Sequence, residues 1–275
     1  MSGVWPDDVR CVVVLSFDVD GVSGAINRNP DAARLPSLMS MREYGPSVGT
    51  PRILDLMDDY GIKASFYIPG YVAETHEPLV SEIASRGHEI AHHGYMHEPP
   101  ATLSKAQEEE VLDKGIAIIE RIAGRKPLGY RSPSWELSEH SLALLADRGF
   151  EYDSSLMGND IPYQIDADGT QLVEIPIQWE LDDAPYFSYA PSLGSRNLMA
   201  SPEQVYQVWS AAFDGMYHYG RSFVLTMHPF VTGRPGRLRM LERLIQHMRE
   251  LPGVEFMTAL DLARMWVKHS GPGAT

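Results

Sequence analysis

The 275-residue sequence predicts a β/α protein built on a parallel sheet, and three observations carry that expectation. Short runs rich in β-branched and aromatic residues alternate with longer stretches of helical period. Glycines recur just past the ends of those longer stretches. Acidic residues and histidines gather directly after the short runs.

Strands are expected at residues 11–17, 64–68, 89–92, 129–131, 151–153, 173–177, 223–227 and 255–257. That makes roughly seven or eight β/α units, close to the count of a barrel. Helices fit between them at 51–60, 78–86, 104–123, 138–148, 202–219, 237–250 and 259–268. Ser104 with Gln107 reads as a capping box, and Ser201 precedes Pro202 at a first helical position. Gly61, Gly87, Gly124 and Gly149 stand where a left-handed residue closes the last turn of a helix. The acidic run Glu108-Glu109-Glu110 is expected on a solvated helix face. No repeat or low-complexity break divides the chain, so one domain over residues 1–275 is expected.

Composition narrows the function. A hydrophobic content of 44% supports a sizeable core. The one cysteine, Cys11, lies in the apolar run Cys11-Val12-Val13-Val14-Leu15, which makes it a buried, inert thiol and leaves no disulfide within the chain. The first eight residues lack the basic start and apolar stretch of a signal peptide, and no apolar run approaches membrane-spanning length. A cytoplasmic location is the expectation. The net charge of −14 argues against nucleic acid and anionic membrane surfaces, and a neutral small substrate or a glycan suits it better.

The titratable residues carry the chemistry. Asp18 and Asp20 follow the first strand, His93 and His97 the third, Arg131 ends the fourth, and His228 follows the seventh. Segments leaving the carboxyl ends of barrel strands share one face, so these groups are expected to converge. The four-residue spacing of His93 and His97 lets both imidazoles reach one ion, with Asp20 as the natural third ligand. Two histidines and a carboxylate suit Zn²⁺ or another divalent transition metal and leave a position open for water. An overlapping His88-Glu89-Ile90-Ala91-His92 matches the zinc-protease motif, which must lie on a helix. On a strand its histidines stand roughly 13 Å apart, too far to share an ion. Asp18 and Asp20 point to the same side if the strand persists, one for the metal and one with its pKa set by the ion and by Arg131. Standing alone, they read equally well as turn formers before Gly21.

These residues resemble the polysaccharide deacetylase family, whose catalytic domain is of the NodB type. Ser16-Phe17-Asp18-Val19-Asp20-Gly21 looks like its first motif and His93 to His97 its second. Arg131-Ser132-Pro133-Ser134 looks like the third, Tyr152-Asp153-Ser154-Ser155-Leu156 the fourth, and Leu225-Thr226-Met227-His228-Pro229 the last. The likeness runs from about Val12 to Thr258. It implies an α/β fold, a distorted (β/α)7 barrel that is TIM-barrel-like. It implies that Asp18 is the base, Asp20, His93 and His97 the metal ligands, Arg131 the partner that orients the base, and His228 the general acid. Val19 separates two aspartates that are usually adjacent, and Gly94 stands where Ser or Thr is usual. With Tyr44-Gly45, Val48-Gly49, Arg52 and Gly233-Arg234-Pro235, these departures resemble the branch of cyclic-imide hydrolases, allantoinase-type enzymes and Helicobacter-type peptidoglycan deacetylase.

The resemblance implies hydrolysis of a non-peptide C–N bond in a small amide, imide, ureide or N-acetylated sugar, and the branch implies a homo-oligomer. A different class of reading keeps the barrel as a catalytically silent binding module for a glycan or ureide. Trp135, Trp179, Tyr163, Tyr186 and Phe187 fall in loops after strands and are divided between pocket and core. Asp182-Asp183 is expected to be solvated.

Overall fold

The computed structural model describes residues 4–6, 8–194 and 198–270. Among them nine strands form one sheet: β1 (Cys11–Asp18), β2 (Ser65–Ile68), β3 (Glu89–His92), β4 (Gly129–Tyr130), β5 (Tyr152–Asp153), β6 (Tyr163–Ala167), β7 (Thr170–Glu174), β8 (Ser222–Met227) and β9 (Val254–Phe256). The order is β6-β7-β5-β4-β3-β2-β1-β8, with β9 added to β1. Eight of these strands, β1 to β5 and β7 to β9, run parallel, as expected for the distorted barrel, and β6 alone of the nine is antiparallel. The sheet does not close. Among the described residues no ladder joins β8 to the far end, and an isolated bridge between Asp182 and Thr226 spans the seam instead.

β1 is buried along its whole length, and its period of two sorts the core. Val13, Leu15 and Phe17 pack into the helix layer, whereas Val12 and Val14 pack into the barrel interior with Tyr67, Tyr152 and Val224. Ser16 and Asp18 continue the inner file. Its last side chain is therefore a carboxylate at the barrel mouth. β8 covers residues 12–17 of β1 on one edge, so β2 and β9 share the other, at residues 16–18 and 11–13.

The helices are α1 (Ser23–Arg28), α2 (Pro36–Tyr44), α3 (Thr50–Tyr60), α4 (Gly70–Thr75), α5 (Glu77–Ser85), α6 (Lys105–Ala123), α7 (Ser141–Asp147), α8 (Ala184–Phe187), α9 (Pro202–Tyr219), α10 (Pro229–Thr232), α11 (Pro235–Arg249) and α12 (Ala259–Ser270). All seven expected helices are present. Capping boxes begin α6 and α9, and Gly61, Gly87, Gly124 and Gly149 all have φ between 63° and 77°. α7 starts later than expected because Ser138 forms a turn first, its N–H donating to Ser141 Oγ at 2.8 Å.

The short helices α1, α2, α4, α8 and α10 were not expected, and they lie where strands exit toward the mouth. The β6-β7 hairpin was not expected either. Its Asp168-Gly169 turn has φ of 52° and 86°, as a two-residue type I′ turn requires. Glu108 corrects the solvated-face expectation for its acidic run. It is buried, and Ser138 and Ser141 donate hydroxyl hydrogen bonds to it at 2.5 Å. Cys11 is buried as expected, and desolvation pushes its thiol up to about 12. No helix among the described residues is long and apolar enough to cross a membrane.

Candidate active site

Three structural devices bring the expected groups together. β1 delivers Asp18 and ends there. Gly21, with φ of 53°, turns the chain, and Asp20 enters the same space from the turn rather than from a continued strand. After β3 the chain folds into a tight turn that is not helical. Gly94 has φ of 73°, a conformation that strains any residue with a Cβ, which accounts for glycine where Ser or Thr is usual. The Tyr95 and Met96 N–H groups donate to Glu98 Oε2 at 3.0 and 2.8 Å. Gly70 and Tyr71 at the start of α4 donate to the Gly94 and Tyr95 carbonyls. The turn is thereby held from both sides.

Within this frame Asp20 Oδ1 lies 3.6 Å from His93 Nε2 and 3.6 Å from His97 Nε2, and its Oδ2 lies 3.8 Å from His228 Nε2. One ligand atom from each of Asp20, His93 and His97 falls within 4.8 Å of the others. His93 Nδ1 is 2.7 Å from the Arg131 carbonyl, which fixes the ring and turns Nε2 toward Asp20. Burial, with His97 adding to it, holds His93 well below the usual histidine range, so it is neutral. Asp20 Oδ1 is buried with no hydrogen-bond partner. A bare carboxylate oxygen flanked by two imidazole nitrogens fits a divalent cation, since buried polar atoms are otherwise almost always satisfied.

Arg131 is fully buried and spends its donors on one task. It donates to Asp18 Oδ1 at 2.8 Å, to Ser16 Oγ at 2.9 Å, and to the Ser154 hydroxyl and carbonyl at 3.0 and 3.1 Å. Burial works against its charge, but Asp18, Tyr67 and Tyr152 together outweigh burial and keep the guanidinium protonated. Its Cζ lies 3.9 Å from the centre of the Tyr67 ring. The other Asp18 oxygen faces His93 Nε2 at 3.8 Å. The fourth motif supports this arrangement from behind, because Ser155 Oγ accepts from the Ser132 N–H and donates to Asp153.

His228 follows β8 and is gripped across the seam by Asp183. Oδ1 of that carboxylate is 2.7 Å from His228 Nδ1, while its Oδ2 accepts from the His228 N–H at 2.9 Å and from Thr232 Oγ1 at 2.5 Å. Burial pulls the imidazole toward neutrality, but Asp183, Asp182 and Asp20 together outweigh it and raise His228 well above the usual range. Asp182 and Asp183 are therefore buried site residues, not the solvated pair the sequence suggested. Burial chiefly raises Asp182, to about 7. Asp182, Asp183 and His228 form a second cluster of potential ligands, but internal donors already occupy both Asp183 oxygens.

Trp135 and Trp179 stack with ring centres 4.2 Å apart on one wall of a cleft of about 280 Å³ that also contains Asp18, Asp20 and His228. Phe187 is instead buried beneath Arg237, Tyr186 packs on Trp209, and Tyr163 sits in β6. The protease motif fails as expected. Glu89 to His92 are β3, with His88 Nδ1 accepting from the Ala64 N–H and His92 Nδ1 from the Gly94 N–H.

A family model described as polysaccharide deacetylase matches residues 34–152. A peptidoglycan deacetylase of Helicobacter pylori is 33% identical over 286 residues, which cover 94% of this chain and 97% of that protein. The chain belongs to the polysaccharide deacetylase family. With membership in the polysaccharide deacetylases comes the reaction class, a hydrolase of C–N bonds other than peptide bonds. A solved Mycobacterium smegmatis structure described as a polysaccharide deacetylase is 37% identical with a TM-score of 0.95, covering 98% of this chain and 95% of that one. A solved allantoinase shares the fold at 23% identity and a TM-score of 0.84, covering 96% and 93% of the two chains.

Of the sequence features set apart as a branch of the family, Tyr44, Arg52, Gly233 and Arg234 form one contact cluster. Tyr44 Oη donates to the Gly233 carbonyl at 3.1 Å, Arg234 lies over the Tyr44 ring at 3.5 Å, and Arg52 donates to Tyr44 Oη at 2.7 Å. Residues Gly45–Gly49 make a π-helical turn pressed against the His228 loop. A Cβ on Gly49 would stand 2.2 Å from the Pro229 carbonyl oxygen.

Proposed function

We propose that this chain hydrolyses an amide, imide or ureide C–N bond, or removes an N-acetyl group from a sugar, at a divalent-metal centre held by Asp20, His93 and His97. The observation that carries the proposal is the unpartnered Asp20 Oδ1 facing both imidazoles. Zn²⁺ or a related ion held there would supply Lewis acidity beside the scissile carbonyl and ease ionisation of water.

The chain's own groups do the rest. Asp18, oriented by Arg131, accepts a proton from the attacking water as the water oxygen bonds to the carbonyl carbon. His228, held protonated by Asp183, donates a proton to the nitrogen as the C–N bond breaks, so acid and amine leave together and the water is consumed. Burial of Asp18, Asp20 and His93 keeps bulk water from weakening these contacts. One catalytic domain in the cytoplasm, acting on a small substrate without nucleic acid, completes the reading.

A panel of an acetylated oligosaccharide, succinimide and allantoin, read beside the metal content of purified protein, tests it. Turnover of at least one compound that is lost with a chelator and restored by Zn²⁺, Mn²⁺ or Co²⁺ is the expected result. Stoichiometric metal without turnover of any of them would favour a silent binding module.

A further inference from the structure

Arg42 reaches the same cleft from α2 and has nothing to hold. Its Cζ lies 4.1 Å from the centre of the Phe230 ring, and its Nε is buried without a hydrogen-bond partner. Among the described residues its side chain makes no hydrogen bond and no ion pair. Arg28, exposed at the end of α1, lines the cleft beside it and is likewise unpaired there. Arg131 shows the contrast, because it spends its donors on Asp18, Ser16 and Ser154. Asp20 is the acid whose charge acts on Arg42, yet its oxygens face His93, His97 and His228. A half-buried guanidinium without acceptors gives up hydration for nothing unless a ligand supplies them.

We propose that Arg42, with Arg28 at the rim, binds a carboxylate carried by the substrate next to the scissile C–N bond. This rests on the hydrolytic reading above and names its substrate class: a ring amide, imide or N-acyl sugar with an acid substituent. The planar fork of a guanidinium matches a carboxylate through two parallel hydrogen bonds, and stacking on Phe230 fixes the plane of that fork before the ligand arrives. A cleft of about 280 Å³ is near the low end of the roughly 300–1,000 Å³ common for ligand pockets, which suits a single substituted ring. The charge of −14 suggested a neutral ligand, but that charge belongs to the whole surface. The two arginines act only within the cleft.

Two matched pairs test this: hydantoin against hydantoin-5-acetic acid, and N-acetylglucosamine against its lactyl ether N-acetylmuramic acid. Titration calorimetry on metal-loaded Asp18→Asn protein measures binding, because the proposed chemistry cannot consume the compound. In at least one pair the acid should bind about tenfold or more tightly than its neutral twin. Adding Arg42→Gln should bring that ratio close to one, and Arg42→Lys should keep part of it. A packing defect at Phe230 weakens both twins together and leaves the ratio in place. A ratio near one in both pairs, no binding of either acid, or a ratio that survives Arg42→Gln overturns the site. If the ratio behaves as expected while wild-type protein hydrolyses none of the four compounds and none of the earlier panel, the hydrolytic reading falls and the carboxylate site stands. Turnover without the ratio has the opposite meaning.

Discussion

Replacing Asp183 with Asn tests the seam that holds the proposed acid. Oδ2 of Asp183 accepts from two donors, the His228 N–H and Thr232 Oγ1, so the amide oxygen of Asn takes that side. Its NH₂ then faces His228 Nδ1, which must become an acceptor, and the ring is neutral. At the observed 2.7 Å, and with an effective dielectric of roughly 20, the lost attraction is on the order of 6 kcal/mol. Removing one partner of a buried pair typically costs about 3–5 kcal/mol, and here the loss falls on the protonated form that delivers the proton. Taking the lower figure, kcat/KM near neutral pH should fall roughly hundredfold, at about 1.4 kcal/mol per decade.

The pH profile carries the sign. Asp183 raises His228, so in wild type the rate should persist above the usual histidine range and decline only at higher pH, whereas in Asp183→Asn the decline should begin at lower pH. Stability follows the same linkage. A raised histidine stabilises the fold fully below its unfolded value of about 6.5, and the benefit disappears as pH rises through the folded value. The stability gap between wild type and variant in urea, measured with chelator present, should therefore be larger at acidic than at alkaline pH. An unmoved basic limb with kcat/KM within threefold of wild type would refute the assignment of His228 as acid and of Asp183 as its support.

Asp20→Ala should lose bound metal and activity together, whereas Asp18→Asn should keep the metal and lose about a hundredfold or more in kcat; elemental analysis beside initial rates separates the two, and the reverse pattern would exchange their roles. Gly94→Ala places a Cβ at φ of 73° and 3.1 Å from Pro133, so urea unfolding should show a loss of about 1–2 kcal/mol, with weaker metal retention in equilibrium dialysis. Gly49→Ala collides with the Pro229 carbonyl and must move the His228 loop, so kcat should fall at least about tenfold while metal content holds. A full rate in Gly49→Ala would mean that the loop tolerates displacement.

The convergence of Asp18, Asp20, His93, His97 and His228 was legible because each lies at or just past the end of a strand with a clear apolar pattern, and strand ends of a parallel sheet share one face. Distance along the chain was no obstacle for Asp20, His93 and His97. It was for Asp183, which lies 45 residues from His228 and meets it only across a seam that no local pattern announces. Glu108 was misread for a related reason, since the serines that satisfy it come from the turn before α7. α1, α2 and α10 are too short or too proline-marked to show a helical period, and Arg42 was hidden with them. The Asp168-Gly169 turn, by contrast, carried a readable hairpin signal that the strand pattern around it obscured.

The open seam has a consequence for how the two halves of the centre move. Asp18, Asp20 and His93 ride on strands β1 to β3, which are laced by backbone ladders, and Arg131 follows β4, which pairs with β3 at His92 and Tyr130. Where β8 meets the segment from Asp182 onward, one bridge and the Asp183 contacts stand in for a ladder. The fastening across the seam and the handle of the proposed proton donor are thus the same carboxylate, so any perturbation that parts the wall there should also release the imidazole.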